Sequence, residues 1–251
     1  MRAFFTLVRR ELGGHFLSLT GYVIIATVLL LLGFSFIDIL AKVNGVPLDN
    51  PFTEVFYVTL YFWIILLLTT PVITMRTFAL EKFSGTFETL MTAPVGDLQV
   101  VLAKFSAAMF FYMIMWLPLL GCIFVVRYFT SDAAAFDSAV VASTFLGILL
   151  IGGLFVSAGC CASAITRSQA IAAMISLAFG AGLFMLGVLA GQLPSDSASW
   201  PTHVLSSFAI FDQMHDFARG VIDTRSVVLF VSATLFFLFL NLRILESRRW
   251  R

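Results

Sequence analysis

AVVASTFLGILLIGGLFVSAGCCASA, residues 139–164, runs without a single charge or proline. The hydrocarbon core of a bilayer is about 30 Å thick and a helix rises 1.5 Å per residue, so roughly 20 apolar residues suffice to cross it. Inside lipid every backbone N–H and C=O must be satisfied within the segment, and a barrel strand would be half as long and alternate. The stretch therefore reads as a transmembrane helix.

Five further runs meet the same measure: 16–37, 55–74, 105–126, 170–193 and 227–245. The chain is 60% hydrophobic and 12% charged, against about 25% charged residues in a typical soluble domain. Its mean hydropathy is +1.01. The expected fold is an all-α integral membrane protein, one transmembrane domain over residues 1–251 with six spans. The first run is too long for the apolar core of a secretory signal, and no small-residue cleavage site follows it. It is expected to stay as a helix.

Net charge is only +1, so the overall balance says nothing about nucleic acid, and no nucleic-acid partner is expected. The distribution of cations says more. With the N-terminus inside, the inner side receives Arg2, Arg9, Arg10, Arg76, Lys82, Lys104, Arg167, Arg243, Arg248, Arg249 and Arg251, and the outer side only Lys42, Arg127, Arg219 and Arg225. That bias places both termini in the cytoplasm, as an even number of spans requires.

Cys122, Cys160 and Cys161 all fall inside apolar runs and form no disulfide framework. Their expected role is packing. His15, His203 and His215 lack the close companion ligands of a metal site, so none is expected. The ends of spans carry Asp38, Arg127, Asp137, Arg167 and Arg243, while the span interiors are nearly free of ionisable groups. Intramembrane catalysis and ion-coupled transport both depend on such groups. No HExxH, GxSxG or paired-carboxylate pattern is present, nor a GxxxxGKS/T phosphate loop. The chain is not expected to be an enzyme, and any work driven by ATP needs another subunit.

Three segments outside the spans have helical periodicity. In MRAFFTLVRREL, residues 1–12, Phe4, Phe5, Val8 and Leu12 lie broadly opposite Arg2, Arg9, Arg10 and Glu11, the pattern of an interfacial helix among anionic headgroups. Before the last span, Val204, Leu205, Phe208, Phe211, Met214, Phe217, Ala218, Val221 and Ile222 recur every three to four residues, with Gly220 placed to end the helix. This external helix either lies flat in the outer leaflet or re-enters as a cap over the bundle. Phe208, Phe211, Phe217 and Gly220 are its candidate outer-gate residues, against a plain packing role. Span 5 carries Gly180, Gly182, Gly187 and Gly191, the last two forming GxxxG. They offer either a dimer face or close packing within one bundle.

The third segment lies between spans 2 and 3. In TFALEKFSGTFETLMTAPVGD, residues 77–97, Leu80, Phe83, Phe87, Leu90 and Met91 form an apolar stripe, Gly85 interrupts it and Pro94 ends it. The expected element is a short bent amphipathic helix with exposed carboxylates and a lysine. Its apolar side can enter a partner's groove while Glu81, Lys82 and Glu88 set the register. The alternative is a bare interfacial linker.

EKFSGTFETLMTAPV (81–95), followed by GDLQVVLAKFSAA (96–108), resembles the signature of the ABC-2 type permeases, membrane subunits of a class of bacterial ATP-binding-cassette transporters. VRRELGGHFLSLTGYVIIA (8–26) is similar to the family's N-terminal helix and the head of its first span. FDQMHDFARGVIDTRSVVLF (211–230) is similar to its segment before the last span. The likeness extends over the whole chain and is nearest to the six-span permeases of gliding motility and nitrous-oxide-reductase maturation. Phe83 and Ser84 stand where relatives often carry basic residues, and Ala103 where many carry Gly, which bears on the exact partner contacts.

The resemblance implies a permease subunit in the bacterial inner membrane that pairs with a second permease copy or paralogue. A separate cytoplasmic ATPase, holding ATP and Mg, would drive it as an exporter through the 81–94 loop; this chain itself would bind no cofactor. Glu81, Lys82, Gly85, Thr86, Glu88, Leu90 and Pro94 carry over as coupling residues. A non-transporting scaffold or sensor worked by a partner ATPase is the rival reading. The spans, with aromatics and small polar groups but no charged pocket, favour an amphipathic or lipid-like substrate.

Overall fold

The computed structural model describes residues 2–43, 51–92, 95–130, 137–192 and 210–249, and every structural statement below concerns these. They form eleven helices and, among themselves, no strand. In order these are α1 (Arg2–Phe16), α2 (Leu19–Val43), α3 (Phe52–Val58), α4 (Leu60–Thr74), α5 (Ala79–Ser84), α6 (Thr86–Thr92), α7 (Asp97–Thr130), α8 (Ser138–Ile165), α9 (Gln169–Gln192), α10 (Ile210–Ala218) and α11 (Thr224–Arg249). Six segments are long and apolar enough to cross a membrane: Leu19–Lys42, Leu60–Ser84, Asp97–Phe129, Ser138–Ile165, Gln169–Leu189 and Thr224–Ser247.

The six spans agree with the hydropathy reading in number and order, and the first three depart from it in their bounds. The first span starts at Leu19 rather than at 16, because Leu17 and Ser18 separate it from α1. Ser18 Oγ accepts from Gly21 N at 3.1 Å, the geometry of an N-cap on a new helix. A side chain on Gly21 would run into the carbonyl of His15, so glycine allows the two helices to meet this closely. The second span is broken at Thr59, whose ψ of 144° is extended. Its hydroxyl donates to Phe56 O at 2.6 Å, closing α3 before α4 begins. The third helix extends beyond the apolar run at both ends, as a 34-residue element of roughly 50 Å must.

The core gathers around α8, which packs against α4, α7, α9, α10 and α11. Every residue from Leu150 to Ala164 is buried. Lipid supplies no hydrophobic drive for helix association, so close approach over small residues takes its place. Gly147 admits Phe217 of α10, Gly152 admits the Tyr112 ring of α7, and Gly159 admits the Thr74 hydroxyl of α4. Asn241 fastens α11, donating to Ser157 O at 3.2 Å and Phe237 O at 3.0 Å. The outer faces of α2, α9 and α11 remain apolar and exposed, as lipid-facing helices require.

The bundle has two unlike ends. One carries α1, α5, α6 and the C-terminus of α8; the other carries α3, α10 and the N-terminus of α8. They are called the α5 end and the α10 end below.

Candidate coupling site

At the α5 end the chain leaves α4 and turns through Met75, Arg76 and Thr77 into α5. Helix α5 has no cap of its own, since Phe78 occupies its N-cap position. Span 4 supplies one. Ser163 Oγ accepts from Phe78 N at 3.1 Å and from Ala79 N at 2.9 Å, and donates to Met75 O at 3.2 Å. Two of the orphan donors at the start of α5 are thus satisfied from a neighbouring helix.

Lys82 works in the opposite direction. Its ammonium donates to Ala164 O in the last turn of α8 and lies 5.4 Å from the centre of the Phe87 ring. A cation there meets the negative end of the α8 dipole and an otherwise orphan carbonyl. The N-terminus of α5 and the C-terminus of α8 therefore hold each other.

A four-residue ion network completes the attachment. Lys104 Nζ, on α7 and 2% exposed, lies 3.0 Å from Glu81 Oε1 and 3.1 Å from Glu11 Oε1, and donates to Thr77 O at 2.7 Å. The ammonium thus has a carbonyl and two carboxylate oxygens within 3.1 Å. Arg10 Nη2 closes the network at 2.6 Å from Glu11 Oε1 and 2.8 Å from Glu81 Oε1. Two cations and two carboxylates from α1, α5 and α7 thus share one partly enclosed volume. Burial would raise the Glu11 carboxyl, but Lys104 and Arg10 outweigh it and hold it below its ordinary range. Burial would lower Arg10 in turn, and Glu11 with Glu81 carries it above its usual value. Beside the network His15 stacks on Phe111 at 5.3 Å; burial first, then Arg76 and Lys104, push its pKa down against the pull of Glu11.

The opposite face of the elbow is open. Phe83 is 77% exposed, and Ser84, Gly85, Thr86, Glu88 and Thr89 are exposed with it. Gly85 has φ 75°, in the left-handed region, and separates α5 from α6. The hydroxyls of Ser84 and Thr86 pair across it at 2.9 Å. The bend expected at Gly85 is present, whereas the expectation of an exposed Glu81 and Lys82 is corrected. Both face the bundle, because the buried Lys104 and the end of α8 give them better partners than water. Leu90 lies on α6, and Pro94 falls outside the described residues.

The other expected residues divide similarly. Gly180 backs onto Phe155 and Leu67, and Gly187 faces Ile210 and Phe211, so both serve packing within the chain. A Cβ on Gly182 would meet nothing within 4 Å, and Gly191 lies in the last turn of α9. At the α10 end, α10 caps the bundle rather than lying apart from it. Phe211 stacks on Trp63 at 4.9 Å and 13°, and Phe217 is buried over Gly147. Ser143 Oγ donates to Phe217 O and Thr53 Oγ1 to Ala218 O, while Gly220, φ 92°, ends the helix. Buried Glu54 Oε1 holds His215 at 3.2 Å and Arg219 at 2.8 Å. Phe208 falls outside the described residues.

Sequence reasoning missed Ser163, Thr77, Lys104, Arg10, Glu11 and Glu54 as partners. Lys104 gave no local signal, since in the sequence it stands just before the apolar run at 105, where a lysine reads as the positive flank of the span.

Residues 38–243, well over half of the chain, match the profile of the family described as ABC-2 family transporter protein, and the chain belongs to that family. Among curated proteins none matches it. It is a multi-pass membrane protein, the permease component of an ABC transporter, with ATP hydrolysis assigned by the family to a separate subunit.

Proposed function

We propose that a separate ATP-hydrolysing subunit docks on the exposed face of the α5–α6 elbow and drives export through the bundle. The observation that carries this reading is the two-sidedness of the elbow. Its inner face is bonded to α1, α7 and α8 through Glu81, Lys82 and the Ser163 cap, while Phe83 stands in the open beside Thr86 and Glu88. An exposed aromatic within a polar surface is an anchor of the kind that protein interfaces place in a partner's pocket. Glu88 supplies a charge to pair with a basic group beside that pocket. ATP and Mg would belong to the partner.

The α5 end is then cytoplasmic, in agreement with its arginines and lysines, and the membrane is the bacterial inner membrane. A second permease copy or paralogue would complete the transporter. The span interiors, rich in aromatic side chains such as Trp63, Trp116, Phe62 and Tyr112, suit an amphipathic cargo.

The test is copurification of the permease with its cognate ATPase. Phe83→Glu is expected to abolish association and Glu88→Ala to weaken it, with thermal unfolding of the permease unchanged because both side chains are exposed. Association at the wild-type level in both variants would overturn the docking site.

A further inference from the structure

The geometry points to Lys104 as the positioning residue that passes movement of the elbow to span 3 and to the N-terminal helix together. This inference rests on the proposed docking of an ATPase at the elbow, and adds where the motion goes next.

The elbow reaches the bundle by two routes of different character. The Ser163 and Lys82 route ends on α8, the buried centre of the fold, where Gly152 and Gly159 already bring α7 and α4 into close contact. The Lys104 route ends on α7, which packs on α2, α4, α8 and α11, and on α1, which lies against α7 through Phe16 and His15 at Phe111. One ammonium joins the two. It donates to the Thr77 carbonyl in the turn before α5 and pairs with Glu81 on α5 and Glu11 on α1.

The same oxygens, Glu81 Oε1 and Glu11 Oε1, also take Arg10. Arg10 is half exposed and sits on α1 itself, so it ties α1 to α5 without reaching α7. Lys104 alone among the four comes from α7. Removing it leaves two carboxylates with one cation, which costs more than losing a surface pair because the site is largely enclosed. The α1–α5 link through Arg10 would survive, while α7 would lose its polar tie to the elbow and keep only its packing against α1. The network is thus a three-way joint with its α7 member at Lys104. When the ATPase shifts the elbow, the first turns of α7 and the whole of α1 follow.

The experiment uses the full permease–ATPase complex in lipid nanodiscs, followed by hydrogen–deuterium exchange with and without a non-hydrolysable ATP analogue. In the wild type the analogue is expected to change exchange in α5–α6, in α1 and in the first turns of α7. In Lys104→Met the α5–α6 change persists and that in the first turns of α7 shrinks; affinity for the ATPase is kept, and permease-stimulated ATP hydrolysis falls roughly five- to tenfold. Lys104→Arg, which keeps the charge and the donors, restores most of the α7 response.

Should Lys104→Met not assemble, Glu81→Gln gives the same reading by removing the α5 carboxylate while Lys104 keeps Glu11 and Thr77. A full α7 response in either variant overturns the inference, as does loss of ATPase affinity with the stimulation per bound complex unchanged. Wild-type association in both Phe83→Glu and Glu88→Ala would instead sink the docking site, with the Lys104 result read separately.

Discussion

The Phe217 ring on α10 lies over the bare backbone of Gly147 on α8: a Cβ on that glycine would stand 2.8 Å from Phe217 Cβ and 3.0 Å from Met214 Sδ. Glycine at 147 is therefore what lets α10 cap the bundle. Gly147→Val is expected to destabilise the protein by about 1–3 kcal/mol, the usual cost of overpacking a well-filled site. The loss should concentrate at the α10 end, read as faster amide exchange over residues 210–220. Gly182→Ala, with nothing near the added carbon, serves as the control and should hold or raise stability by some tenths of a kcal/mol up to about 1.

Ser163→Ala removes the cap that span 4 lends to α5. Losing an N-cap costs about 1 kcal/mol, and here the Phe78 and Ala79 amides are buried with no other acceptor. The expected result is faster exchange or proteolysis in residues 78–84 with little change in α8. ATPase association should weaken as the docking face loses its shape.

Much of this fold is legible in hydropathy, because six long apolar runs in lipid leave only the helix open to them. The breaks at Ser18 and Thr59 are not, since a serine or threonine within an apolar run is as compatible with a continuous helix as with a capped new one. The bend at Gly85 and the stripe around it are local signals and could be read. What Glu81 and Lys82 touch could not: periodicity placed them off the apolar side, which in a soluble setting means water. Here their partners, Lys104 and the end of α8, come from other spans far along the chain. The small-residue pattern is most conspicuous in span 5, where a Cβ on Gly180 would come within 3.0 Å of a neighbour and those on Gly182 and Gly187 would not, whereas Gly147, Gly152 and Gly159 of span 4 all admit close neighbours. Their irregular spacing follows three different partner helices rather than one motif.

At Gly85 the demand is conformational and not steric. Its φ of 75° is costly for a residue with a side chain, and a Cβ there would meet nothing within 4 Å. Gly85→Val should therefore cost about 1–2 kcal/mol through the backbone alone. Gly85→Asn, which tolerates the left-handed region, should recover most of it. Equal effects of Val and Asn on ATPase association and on elbow proteolysis would show that the bend has another cause.

Acid should loosen the α5 end in two steps whose order follows from the charges around it. His15 is held neutral in the fold by burial, with Arg76 and Lys104 adding to the effect. Its contribution is complete above its ordinary value of 6.5 and is lost as pH falls below it, because only the unfolded chain gains the proton there. Glu11 is held ionised by Lys104 and Arg10 against its burial. Its contribution is complete above the ordinary value of 4.5 and drains as pH falls through the lower value it has in the fold. Thermal unfolding in detergent should thus be flat from pH 8 to about 7, decline gently below 6.5 and steepen below about 4.5. His15→Phe, which keeps a ring against Phe111, should erase the first decline and leave the second. Glu11→Gln should lower stability at neutral pH and flatten the second. An acid profile identical in wild type and both variants would mean that the groups controlling acid unfolding lie elsewhere in the bundle.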